Sequence, residues 1–300
     1  MQGYHISRLK KENNMTNEAN NTEIAPGIHQ ILMDGEPQPG RYGGVYAPNV
    51  YLIVGQDKAV FIDTAYGEDN EIEAHLALWE AKGKPKIEAI ICTHRHGDHI
   101  GGAGRIAEVT GGQIACAADE RDAVNADLKS GQVGRVLNTG DSIDLGVATL
   151  EFMHTPGHTM GSLCIIHREN GVLFSGDMIL GTGTTVVSPD HGDMTAYIES
   201  MRRLLTVEGL TMIAPGHGPM IHTPYEKFQE LIDHRLQREE QILDLVADGT
   251  GTVDALLLAI YVGGIHPELH NTAKNQILSH LAKLQREGKV KQNGDAYAAA

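Results

Sequence analysis

The chain of 300 residues is expected to fold as an α+β protein. Two β-sheets packed face to face would carry helices on their outer faces, and a helical module ending in a small hairpin would follow. Three observations predict this. Short apolar or alternating runs dominate residues 27–221, helical patterns interrupt them without regular alternation, and after Pro224 the pattern turns almost wholly helical. Regular strand–helix alternation would instead mark a doubly wound parallel sheet.

Strands are predicted at residues 28–33, 50–54, 59–62, 87–92, 113–117, 148–153, 162–166, 172–174 and 211–214, each a short apolar or alternating run. Gly55-Gln56-Asp57 and Glu169-Asn170-Gly171 supply turn residues between neighbouring strands. Helices are predicted at residues 70–82, 100–110, 119–127 and 194–207. Beyond Pro224, residues 225–247 form one long amphipathic pattern that Gly249-Thr250-Gly251 ends. Residues 253–261 and 269–287 read as two more helices, and Asn293-Gly294 as a hairpin turn, which together make a winged-helix-like module. The expected organisation is a disordered Asn-, Glu- and Lys-rich extension over residues 1–23, a main domain over 24–224 and the helical module over 225–300.

Bulk properties narrow the partners. Apolar content of 41% with 21% charged residues is ordinary for a globular protein. No apolar run approaches the roughly 20 residues that span a bilayer, and the first 25 or so residues lack the apolar stretch of a secretory signal, so no membrane partner is expected. Cys92, Cys116 and Cys164 fall in apolar strand-like stretches; an odd, unpaired set fits a reducing, cytoplasmic setting. A formal charge of −15 opposes long polyanions unless a local basic strip overrides it. It leaves room for a short single strand or a small molecule.

The chemistry is concentrated in Thr93-His94-Arg95-His96-Gly97-Asp98-His99-Ile100-Gly101-Gly102. Three imidazoles and a carboxylate within six positions supply the ligand atoms that zinc prefers. The run follows an apolar strand and precedes a helical pattern, so the ligands lie on a strand-to-helix turn, with Gly97, Gly101 and Gly102 permitting close backbone approach. Three more ligand-type residues stand beside glycine at strand ends: His158 after Pro156-Gly157, Asp177 after Gly176, and His217 between Gly216 and Gly218. Loops at strand ends are where a rigid scaffold can place such side chains.

This ordered series resembles the metallo-β-lactamase fold superfamily over residues 27–221. The resemblance implies an αββα sandwich with two metals at one edge of the paired sheets. It implies His94, His96 and His158 on one zinc, Asp98, His99 and His217 on the other, and Asp177 bridging both. Residues 176–186, 215–221, His234-Arg235, Arg238-Glu239 and 280–290 are similar to the β-lactamase-like-protein-2 family, metal-dependent hydrolases with a winged-helix-like tail, of which one branch cleaves single-stranded RNA. Two Zn2+ ions per chain are therefore expected, with a metal-bridging hydroxide as nucleophile and Asp98 orienting it. The leading expectation is a phosphodiesterase or endoribonuclease acting on single-stranded RNA. The alternative is a hydrolase of small esters, thioesters or lactones; a nucleic-acid-binding regulator is the third reading. A carboxylate at Asp177 argues against efficient penicillin hydrolysis. Thr182, Thr184 and Thr185, in the glycine-rich loop after Asp177, and His222 are expected to touch substrate. His234, Arg235 and Arg238 are read as pairing with main-domain carboxylates in preference to a substrate phosphate. Self-association is left open as an expectation.

Overall fold

The protein is described by a computed structural model covering residues 21–31, 47–261 and 263–300. Seven strands build the first sheet in sequence order: β1 (Asn21–Ala25), β2 (Ile28–Ile31), β3 (Val50–Val54), β4 (Lys58–Ile62), β5 (Lys86–Ile91), β6 (Gln113–Ala117) and β7 (Arg135–Leu137). Pairing is antiparallel as far as β4 and parallel from β4 to β7. The second sheet has the order β12-β11-β10-β9-β8. Its strands are β8 (Ser142–Asp144), β9 (Thr149–His154), β10 (Leu163–His167), β11 (Val172–Gly176) and β12 (Met212–Pro215).

Period-two alternation decides which face each residue serves. On β3, Tyr51 and Ile53 face the second sheet, where they join Phe152, Ile165 and Phe174, whereas Val50 and Leu52 join the helix-covered outer cluster with Phe61 and Ile106. Helices α1 (Asp69–Ala81), α3 (Ala103–Thr110) and α4 (Arg121–Asp127) cover that outer face. On the far side, α5 (Met194–Leu204) and the first half of α6 (Pro224–Ala247) bury Tyr197, Ile198, Met201, Phe228 and Leu231 against Cys164, Leu173 and Ile213 of the second sheet. Four layers result, αββα. All three cysteines are buried and free, and among the described residues no helix is long and apolar enough to cross a membrane.

Four local features differ from expectation. The helix predicted over 100–110 is broken into a short α2 (Gly97–Ile100) and α3. At Gly101 and Gly102 the backbone lies so close to residues 64–66 that a Cβ would sit 2.2 Å from the Tyr66 carbonyl oxygen or 2.6 Å from that of Thr64. Gly97, by contrast, has open space around it, so close approach does not require a glycine there. Asn21 to Glu23, assigned above to a disordered extension, belong to β1, whose Ile24 and Ala25 pack on the core. The rest of that expected extension, residues 1–20, and the end of the first predicted strand lie outside the described residues. Strands β7 and β8, three residues each, carry too little alternation to be read from sequence.

The C-terminal module consists of α7 (Val253–Ile260), α8 (His270–Arg286) and the hairpin β13 (Val290–Asn293) with β14 (Ala296–Ala299). Its core gathers Leu256, Leu257, Ile277, Leu281, Leu284 and Val290 around Ile242 and Val246 from the second half of α6. Helix α6 therefore contributes to two cores, one at each end.

Candidate metal centre and active-site cavity

Strands β9, β11 and β12 run the same way in their sheet, since β9 and β11 both lie antiparallel to β10 and β12 lies parallel to β11. The residues following their C-terminal ends, His158, Asp177 and His217, therefore emerge at one edge. The run after β5 meets them there from the other sheet. The turn carrying His217 is tied across the sandwich: Asn49 Nδ2 donates to the Pro215 and Gly218 carbonyls at 3.0 and 2.8 Å, and the Tyr51 hydroxyl to Pro215 at 2.8 Å.

Two groups of ligand atoms form, each with its members within 4.8 Å of one another: His94, His96, His158 and Asp177, then Asp98, His99 and His217. His96 Nδ1 lies 2.9 Å from His94 Nε2 and 3.0 Å from His158 Nε2. Asp177 spans the groups, with Oδ1 3.4 Å from His99 Nε2 and 3.5 Å from His217 Nε2, and Oδ2 3.9 Å from His158 Nε2. His217 Nε2 is 3.2 Å from Asp98 Oδ2. Asp98 Oδ1, His99 Nε2 and Asp177 Oδ1 are buried with no hydrogen-bond partner. Buried polar atoms left unmatched are costly, and a set of imidazole nitrogens and carboxylate oxygens aimed at a common space fits a pair of divalent cations.

The outer nitrogens of these rings are fixed in turn. His158 Nδ1–H donates to the Val186 carbonyl at 2.7 Å, which leaves Nε2 as the inward lone pair. His99 Nδ1–H donates to Asp63 Oδ2 at 2.7 Å. Asp63 also accepts from the Thr93 N–H and hydroxyl, both at 2.8 Å, so one buried carboxylate orients His99 and the start of the histidine run. Asp63 adopts a φ of 57°, uncommon outside glycine. Glu120, fully buried, receives Arg95 Nε at 2.5 Å and the Thr159 hydroxyl, and thereby anchors both histidine-bearing segments. His191 Nε2 lies 3.2 Å from His96 Nε2.

Burial pushes His94 and His158 well below the ordinary histidine range, with neighbouring imidazoles adding to it; burial also takes His96 down to about 4. These rings are neutral at pH 7, the form in which an imidazole can give its lone pair to a metal. In the second group burial opposes charge, but Asp98, Asp177 and Asp63 overcome it at His99 and raise that ring to about 10. Burial likewise opposes charge on His217, and Asp177 and Asp98 turn the balance upward. Asp98 itself is disfavoured as an anion by burial, yet His99 and His217 hold its carboxyl below the usual range. A cation entering the second group must displace protons that the first group does not carry.

A cavity of about 530 Å³ opens beside both groups. Thr182, Thr184 and Thr185 line it, together with His191, Ser188 and Leu180. Thr182 is exposed, Thr184 half-buried and Thr185 buried with its hydroxyl 3.1 Å from His158 Nδ1. Leu269, Thr272 and Asn275 of the C-terminal module complete the wall. His222 does not join them. The Ile213–Ile221 bridge holds the preceding residue against β12, and His222 is exposed and apart from the cavity. Sequence reasoning missed Asp63, Glu120 and His191; only Asp63, a carboxylate directly after a buried strand, carried a usable signal.

The description "Metallo-beta-lactamase superfamily" matches residues 43–217, the segment that holds all seven ligand-type residues. The chain belongs to that superfamily. A "Beta-lactamase associated winged helix domain" matches residues 252–299. A beta-lactamase-like protein 2 homolog of Drosophila melanogaster is 32% identical over 254 residues, 81% of this chain and 84% of the relative. An atrochrysone carboxyl ACP thioesterase of Aspergillus chevalieri is 31% identical over 252 residues, 82% of this chain and 76% of the relative. Among solved structures, a beta-lactamase domain protein from Burkholderia ambifaria superposes with a TM-score of 0.81 at 21% identity, covering 93% of each chain. A metallo-beta-lactamase family protein from Thermus thermophilus gives 0.75 at 23% identity, covering 93% of this chain and 100% of that one. The superfamily enzyme is thus a hydrolase with a winged-helix tail.

Proposed function

We propose that this enzyme is a di-zinc hydrolase of small acyl thioesters and esters. The lining of the cavity carries the reading: among the described residues around it there is no lysine or arginine, while Asp98, Asp177 and Asp190 are present. A polyanionic strand approaching that mouth meets acidic groups and a chain of net charge −15, whereas a neutral thioester meets threonines and apolar side chains. The C-terminal helix α8 supports the same choice. Its cations are committed within the protein, Lys274 to Asp254 at 2.5 Å, Lys283 to Glu239 at 2.8 Å and Arg286 to Asp193 at 2.5 Å. Helix α8 therefore offers few free cations for a long run of phosphates. The relative named as an acyl-carrier thioesterase points the same way.

Zinc ions held by His94, His96, His158 and Asp177 and by Asp98, His99 and His217 would supply an activated water and would offset negative charge on the substrate carbonyl oxygen. The chain's own residues do the rest. Asp98, kept ionised by its two histidine neighbours, orients the attacking water through Oδ1 and takes its proton. The proton then passes to the departing thiolate or alkoxide as the carbonyl–sulfur or carbonyl–oxygen bond breaks. Thr182 and Thr184 supply hydroxyls to the bound acyl group.

Single-stranded RNA is the second reading, supported by the similarity to beta-lactamase-like protein 2 homologues over most of the chain. A side-by-side assay of the zinc-loaded protein decides between them, using acyl thioesters, lactones, bis-p-nitrophenyl phosphate and labelled single-stranded RNA. Thioester turnover with little RNA cleavage is expected. RNA cleavage without thioester turnover would reverse the order.

A further inference from the structure

A second cavity, of about 250 Å³, lies between α6 and the C-terminal module. His234, Arg235, Arg238 and His280 line it. The carboxylate partners expected for the two arginines are absent among the described residues. Arg235 is 2% exposed. Its Nη2 donates to the Thr185 carbonyl at 2.7 Å, its guanidinium carbon lies 5.1 Å from the Tyr197 ring centre, and its Nε is buried with no acceptor. Arg238 rests 5.1 Å from the centre of the Tyr261 ring and leaves Nη1 buried and unmatched. His234 Nδ1 and both ring nitrogens of His280 are likewise buried without a hydrogen-bond partner. The buried acid of this region, Glu239, is engaged by Lys283 at 2.8 Å, and its other oxygen stands 3.9 Å from His280 Nδ1, beyond hydrogen-bond reach.

A buried guanidinium with no counter-ion is strongly unfavourable, so such an arrangement points to an anionic ligand. Donors from two guanidinium forks and two imidazoles, approaching from α6 and α8, suit the several oxygens of a phosphate. Burial above all, with Arg235, Arg238 and His280 adding and Glu230 opposing, holds the His234 imidazole below its ordinary range. Thr184, Val186, Leu269 and Thr272 line both this cavity and the one beside the metal ligands. An occupant of one is therefore next to an occupant of the other.

We propose that this cavity binds a phosphate group carried by the substrate itself, with Arg235, Arg238, His234 and His280 as donors. The substrate class is an acyl thioester of a phosphopantetheine-type thiol, its phosphate held here and its carbonyl presented to the seven ligands. The inference rests on the thioester reading for its substrate, while the phosphate site stands on the unmatched donors alone.

Calorimetry on the full-length, metal-loaded protein compares 4′-phosphopantetheine with pantetheine, which carry the same thiol and differ only in the phosphate. The phosphorylated form should bind roughly ten- to a hundredfold more tightly. That preference should shrink to about twofold in Arg238→Gln and in His234→Gln, separate variants at partly exposed positions. Arg235 is left intact because it also supports the loop carrying Thr185. With zinc bound, the ratio of kcat/KM for an acyl-phosphopantetheine over the same acyl-pantetheine should follow the binding ratio and collapse in the same variants. Equal binding of the two probes by wild type, or a preference intact in both variants, would overturn the proposal. Tighter binding of a 5′-phosphorylated ribotrinucleotide than of 4′-phosphopantetheine would overturn the substrate class. Turnover of neither thioester would defeat the functional reading above, and the binding comparison would still decide the phosphate site.

Discussion

Asp63 shows how far a single side chain outside the ligand set can reach. Replacing it by Asn keeps the size and tolerates the positive φ but removes the charge that orients His99. Asp63→Asn should weaken zinc binding at one of the two proposed sites by about 10- to 100-fold, read by competition against a chromogenic chelator; two unchanged affinities would show that His99 is held by packing alone. Gly216 is a steric case. A Cβ there would stand 2.3 Å from Asp177 Oδ1, so Gly216→Ala should displace that carboxylate and reduce bound metal well below the wild-type amount, measured by elemental analysis, while far-UV dichroism stays unchanged. The ligand-type residues were legible in the sequence because packing alone seldom places histidines and acids at successive strand ends. Glu120 was not, since one buried acid reads like any turn or helix-cap residue until its partners are known, and Asp63 offered only its place directly after a buried strand. His222 misled for the opposite reason: closeness to His217 in sequence says nothing once Ile221 is pinned by a bridge.

At the level of elements, α1 carries a titration that the rest of the fold must bear. His75 is fully buried, with Nδ1 2.7 Å from the Glu71 carbonyl, and burial takes its imidazole down to about 4. The unfolded chain takes up a proton near 6.5 and the native one only near 4, so stability falls as pH drops through that window, by up to about 3 kcal/mol from this residue. Urea unfolding at pH 7.5 and 4.5 should therefore show a smaller pH effect in His75→Gln than in wild type; parallel losses would rule His75 out as a source. On α8, Arg286 pairs with Asp193 at the start of α5, but its side chain is 54% exposed. Arg286→Ala should cost less than about 1 kcal/mol, seen as a small shift in the urea midpoint. Periodicity made the central strands and long helices readable. It failed at β7, β8 and the α2–α3 break, where sheet neighbours and close backbone contacts decide, not local pattern.

For the whole molecule, metal and fold are coupled because the ligands come from loops of both sheets. Each cation present at a thousand times its dissociation constant adds about 4 kcal/mol, so exhaustive chelation should lower the melting temperature by on the order of 10 °C or more. An unchanged melting curve after verified metal removal would show that the sandwich holds the site open unaided. The tail's place was only partly foreseeable. Its helical content was evident in the sequence, whereas the seating of Leu269, Thr272 and Asn275 on the cavity rim depends on a fold-wide arrangement no local pattern encodes.

Because α6 lends Phe228 and Leu231 to one core and Ile242 and Val246 to the other, the natural seam of this protein is not at its glycine break. A chimaera joined at Gly249 would inherit a helix shaped for the wrong passenger. A crossover before Pro224 moves the mismatch to the other end of the helix, so tails should exchange between relatives only where the core residues facing the transplanted half of α6 also match.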